Sequence, residues 1–188
     1  MTREQQRTLM VAVLSLSLLT VMAGAAVAPA LDVIREHFSD EPVALVQMVI
    51  SMPALFIALT SPLFGRLAAK MTAKRLAVSA LVLYVAAGAG AGLVDNLWAV
   101  LAFRALLGVS VGIIMPLSTG LLATYFPAEM QSRLMGYSSA MNQMGGVVGT
   151  LTAGLLAAIS WRTAFLVYLM GLLCVILCAA FIPDEMIG

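Results

Sequence analysis

Long apolar runs separated by short polar punctuation leave this chain few ways to fold. Hydropathy and breakers give six: Leu9 to Ala30, Val43 to Phe64, Leu76 to Val94, Leu97 to Tyr125, Leu134 to Ser160 and Thr163 to Ile182. Each is near the roughly 20 residues needed to cross a hydrocarbon core of about 30 Å. Inside lipid a backbone must satisfy its own hydrogen bonds, which selects helices. A chain with 62% hydrophobic and 10% charged residues lies outside the soluble range. The expected fold class is therefore an all-α membrane protein, a single domain over residues 1–188 with six transmembrane helices. Arg3 and Arg7 before the first run, with AGAAVAPA at its end, also fit a secretory signal. The run exceeds a signal core of about 7 to 15 residues, so it is read as a retained helix.

Charge sets the direction of insertion. Pro62 to Leu76 holds Arg66, Lys70, Lys74 and Arg75, four of the ten basic residues, between two apolar runs. Short loops rich in Lys and Arg stay on the cytoplasmic side. The connection after the first run carries Asp32, Glu36, Asp40 and Glu41 against Arg35, and Val94-Asp95-Asn96 has no basic residue. With Arg3, Arg7 and Arg133 on the same side as the basic loop, both termini are expected in the cytoplasm of a bacterial cell. The formal net charge of +1 leaves no basic surface for a nucleic-acid partner once topology accounts for this cluster.

Polar residues within the runs are the candidates for function. Arg104 lies inside the fourth, where a charge is expensive and marks a functional site by default. The alternatives are that it snorkels, or that backbone carbonyls hold it for packing. Arg104, Gly108, Gly112 and Met115 share one helix face, an open strip beside a guanidinium. On the fifth run Ser138, Asn142 and Gly145 share a face with Gln143 beside it; Gln47 and Ser51 make a similar strip on the second. Such groups bond across a helix interface or line a watery cavity. The expected substrate contacts are Arg104, Gly108, Met115, Asn142, Gln143 and Gln47. The pairs Met48 with Met52 and Met141 with Met144 read as soft packing or an adaptable lining. Gly145, Gly149 and Gly154 are expected to let helices approach closely.

Enzyme chemistry is excluded by context. Gly108-Val109-Ser110-Val111-Gly112 fits a nucleophile-elbow pattern, but lies inside an apolar helix, and the only histidine, His37, is in a connection. Cys174 and Cys178, four apart on an apolar helix, read as small packing residues rather than a redox or metal pair. No cofactor is implied.

Several stretches resemble one family. Gly65, Leu67, Ala68, Lys70, Lys74 and Leu76 fit the loop between helices two and three of major facilitator superfamily transporters, with Ala69 where that family has aspartate. Arg104 and Gly108 fit its fourth-helix signature. Tyr125-Phe126-Pro127-Ala128-Glu129 with Arg133, and Trp161-Arg162-Thr163-Ala164-Phe165, are similar to its later connections. Gly136, Gly145, Gly149 and Gly154 fit the glycines of an antiporter-type signature, with Thr150 in place of its proline. The resemblance implies one six-helix half of such a transporter, in inverted three-helix repeats of about residues 9–94 and 97–182. Gly65, Arg66, Lys70, Lys74 and Arg75 would form its gating loop.

The partners implied are a small-molecule substrate, membrane lipid, and either a second copy of the chain or a missing carboxy-terminal half. The leading expectation is a half-size transporter acting as a parallel homodimer by alternating access. With no Asp or Glu inside a run, and two copies of Arg104, it would move a small organic anion or amphipathic compound without proton coupling. The alternatives are the excised amino-terminal half of a proton-coupled drug-efflux transporter, and a membrane assembly module that does not transport.

Overall fold

The computed structural model describes residues 2–25, 31–159, 171–183 and 185. These are helical almost throughout, with no strand among them. The helices are α1 (Arg3–Ala25), α2 (Leu31–His37), α3 (Val43–Thr60), α4 (Phe64–Ala68), α5 (Ala73–Gly90), α6 (Leu97–Tyr125), α7 (Ala128–Ala157) and α8 (Gly171–Phe181).

Local chemistry explains where they begin and break. α1 starts six residues before the apolar run because Thr2 and Gln5 cap it reciprocally: the Gln5 N–H donates to Thr2 Oγ1 at 3.2 Å, and the Thr2 N–H to Gln5 Oε1 at 2.9 Å. Pro62, which cannot donate a backbone bond, divides the second run: a 3-10 turn at Ser61–Leu63 separates α3 from α4. Thr72 caps α5 and Asn96 caps α6, the Trp98 N–H donating to Asn96 Oδ1 at 2.9 Å. The expected basic loop is thus largely helical. Gly65 and Arg66 lie on α4, Lys74 and Arg75 open α5, and only Lys70 sits in the connection. Cations at a helix N-terminus oppose its dipole, so topology rather than helix stability accounts for Lys74 and Arg75.

Six crossings were expected; among the described residues four helical stretches are long and apolar enough to span a membrane. They are Arg3–Ala23, Val43–Ala68, Ala73–Gly90 and Leu97–Tyr125. α7 has the length, 30 residues, but polar residues from Glu129 to Gln143 dilute its hydropathy. The expected sixth span is represented by the 11 residues of α8, and its residues 163–170 lie outside the described set, as does the Trp161 to Phe165 motif.

The tightest pairings are α1 with α7 and α3 with α6. Missing side chains make them possible. A Cβ on Gly145 would run into the Leu18 carbonyl of α1, and one on Gly149 would lie 2.9 Å from Met22 Cγ. A Cβ on Gly108 would meet the Pro53 carbonyl of α3, and one on Gly112 would lie 2.8 Å from Thr60 Cβ. Gly154 is half-buried, whereas Gly136 has open space around it. Gly108, expected as a substrate contact, is therefore an α3–α6 packing residue. α5 joins this core through Tyr84, fully buried, whose hydroxyl donates to the Leu19 carbonyl at 3.0 Å. α8 packs on α1 and α5; Cys174 Sγ lies 3.7 Å from the Ser15 carbonyl, so both buried cysteines face protein.

Candidate functional site: a hydroxyl-lined groove and a sealed arginine

Side-chain oxygens gather where α1, α6 and α7 meet. Ser17 of α1 lies at the centre, its Oγ 3.1 Å from Ser118 Oγ of α6 and 2.6 Å from Ser138 Oγ of α7. One turn further along α1, the Thr20 hydroxyl donates to Asn142 Oδ1 at 2.7 Å and also lies 2.8 Å from the Ser17 carbonyl. These groups edge an open groove of about 510 Å³, completed by α6 from Met115 to Ala123. The volume falls in the range of small-molecule sites. Pro116, inside α6, removes an N–H from that helix, and Met115 presents a flexible thioether that is 44% exposed. None of the described lining residues carries a charge. The chemistry on offer is hydroxyl and amide hydrogen bonding beside apolar wall, suited to a compound with both characters.

The six expected substrate contacts do not come together. Asn142 and Met115 line the groove. Gln143, one residue on and so turned by about 100°, belongs to a shallower depression of about 370 Å³ beside Gly146 and Thr150. Gln47 is on the exposed side of α3. Ser17, Thr20 and Ser118 were missed. Ser17 and Thr20 carry the signal that would have found them, hydroxyls at i and i+3 in a span whose other polar side chain is Ser15.

Arg104 is 0% exposed and does not reach this groove. Its Nε donates to the Val49 carbonyl at 2.8 Å and its Nη2 to the Ala23 carbonyl at 2.9 Å. One acceptor has a local cause. Val49 stands four residues before Pro53, whose ring nitrogen cannot supply the i+4 donor, so the Val49 oxygen turns to the guanidinium. Ala23 lies in the last described turn of α1. Arg104 thus joins α6 to α1 and α3 through backbone oxygens, the packing alternative of the sequence reading, and is not among the residues lining the groove. Ser110, on the same helix, is fully buried and donates to the Leu107 carbonyl at 2.7 Å, while His37 lies against Asp95 at 2.7 Å on the exposed ends of α2 and the α5–α6 turn.

At the opposite end, Glu185 closes over the start of α5. Its carbonyl accepts from the Ala73 N–H at 2.7 Å, and its Oε2 accepts from the Tyr125 hydroxyl at 2.9 Å.

The family profile described as Major Facilitator Superfamily matches residues 13–186, nearly the whole chain. The chain belongs to the Major Facilitator Superfamily. Multidrug transporter protein MdtP of Bacillus subtilis is 28% identical over 120 residues, 63% of this chain and 22% of that protein. Quinolone resistance protein NorA of Staphylococcus aureus is 29% identical over 118 residues, 63% of this chain and 30% of NorA. Among solved structures, the proton:xylose symporter XylE bound to 6-bromo-6-deoxy-D-glucose superposes with a TM-score of 0.88 at 14% identity, over 98% of this chain and 46% of that one. An inward-facing, unoccupied bacterial homologue of the human lysosomal transporter Spinster gives 0.82 at 15%, over 100% and 45%. At those identities the structures speak to fold alone. The chain spans less than half the length of each of these superfamily members. Family membership and apolar helices make this an integral membrane protein of a transporter family, one whose members are not generally enzymes.

Proposed function

We propose that this chain supplies one wall of a membrane carrier for a small amphipathic compound, with the groove between α1, α6 and α7 as its share of the binding site. The carrying observation is the uncharged cluster of Ser17, Thr20, Ser118, Ser138 and Asn142 edging an open, apolar-walled groove. Two relatives carry the names multidrug transporter and quinolone resistance protein, which fit amphipathic cargo, while a third, probable anion transporter 4 of Arabidopsis thaliana, 39% identical over 62 residues, fits an anionic one. Arg104 is buried and absent from the groove's lining, so it offers a bound anion no direct ion pair. The opposite wall comes from a second copy in parallel or from a carboxy-terminal half, and alternating access arises from rocking of the two. No carboxylate edges the described groove, so this half does not carry a coupling proton there.

Reconstitution into liposomes tests the reading with a panel of cationic, neutral and anionic amphipathic dyes, with and without a pH gradient. Each hydrogen bond lost from the site is worth about 1 kcal/mol, so Thr20→Val combined with Asn142→Leu should lower transport by about tenfold or more while helicity and monodispersity persist. Unchanged transport in that variant would remove the groove from the mechanism. A strong pH-gradient requirement with this chain reconstituted alone would overturn the reading that this half carries no coupling proton.

A further inference from the structure

A second cavity lies on the far side of α3, away from the hydroxyl cluster. It measures about 500 Å³ and is walled by Phe56, Leu59, Leu63 and Leu67 on one side and by Val109 and Ile113 of α6 on the other. Thr60 forms its base, where Gly112 admits α3 closely. The stripe from Phe56 to Leu67 runs down one face of α3, through the 3-10 turn and onto α4, and ends at the exposed guanidinium of Arg66. Phe56 and Arg66 are ten positions apart, about 15 Å of helical rise. That equals about half of a 30 Å hydrocarbon core, the depth of one leaflet. The end marked by Arg66 is also the end that carries Lys70, Lys74 and Arg75.

We propose that this groove is a binding site for one anionic phospholipid of the bilayer, its acyl chain along Phe56 to Leu67 and its phosphate on Arg66. Three features select that occupant over bulk lipid: an apolar trough one leaflet long, a single cation at its mouth, and no acidic residue among those that line it. Basic groups beside helices on one membrane side favour anionic head groups by about fivefold per residue. The site is separate from the proposed transport groove and does not depend on it.

Native mass spectrometry of the purified chain in detergent, titrated with phosphatidylglycerol, phosphatidylcholine or soluble glycerol phosphate, tests the assignment. The wild type should retain phosphatidylglycerol about fivefold more tightly than phosphatidylcholine and should not hold glycerol phosphate. Arg66→Gln should erase the head-group preference while leaving residual lipid binding, and Ile113→Trp should fill the trough and weaken both lipids. Equal retention of the two lipids by the wild type, or a preference that survives Arg66→Gln, would overturn the proposal. Arg66 is exposed on a helix surface, so its substitution leaves folding intact and the readout interpretable.

Discussion

Arg104 shows how one side chain can be costly and still favoured. A guanidinium at the centre of an isolated helix costs about 3 kcal/mol on insertion, and here two backbone oxygens from other helices receive it. Replacing it by Gln leaves both with weaker partners, and hydrogen bonds to charged groups are worth about 1.5–3 kcal/mol each. Arg104→Gln is therefore expected to destabilise the chain by about 2 kcal/mol in detergent unfolding. Pro53→Ala supplies the missing N–H to the Val49 oxygen and makes the Arg104 contact partly redundant. A double-mutant cycle should give a coupling energy of about 1 kcal/mol; strict additivity of the two losses would contradict the linkage. The sequence showed that Arg104 was unusual but not what it did. Its acceptors are backbone atoms 55 and 81 positions away, and no side-chain pattern advertises them except Pro53, legible only once α3 and α6 are known to touch.

At the level of elements, two glycine-mediated contacts hold α7 on α1 and α6 on α3. Gly145→Ala places a methyl against the Leu18 backbone, which cannot yield as a flexible side-chain tip would. Overpacking of this kind costs about 1–3 kcal/mol. Gly136→Ala, with nothing within 4 Å of the added carbon, should leave the unfolding midpoint near wild type or raise it slightly through helix propensity. Finding the two substitutions equally damaging would show that α7 is not seated as described. Helix positions followed the sequence well where apolar runs coincided with caps: α6 has the expected bounds because Asn96 and Pro127 punctuate both sides. They followed it poorly where helix continued through polar residues. The first turn of α1, the whole of α2 and the start of α7 have no apolar run to announce them, and the turn at Ser61–Leu63 was hidden inside one.

For the whole molecule, the distribution of Lys and Arg predicts which end faces the cell interior. In a background with Cys174 and Cys178 replaced by Ala, single cysteines at Arg75 and Asn96 should label from opposite sides of the membrane with an impermeant maleimide. Arg75 should react only after permeabilisation of intact cells, and labelling of both from the same side would reverse the assignment of at least one span. The architecture was legible at this scale because hydropathy alone demands helices in lipid. The groove was half legible: Ser138, Asn142 and Met115 stood out from their positions and Ser17 and Thr20 carried a spacing that went unread, but Ser118 is a common residue that acquires meaning only when three helices bring their oxygens together.

The carbonyl grip on Arg104 also bears on assembly. Ala23 and Val49 leave the ribosome before residue 104, so α1 and α3 have both been made when the one charged residue of α6 reaches the bilayer. A chain rearranged to make α6 first would have to expose the guanidinium to lipid until α1 and α3 arrived.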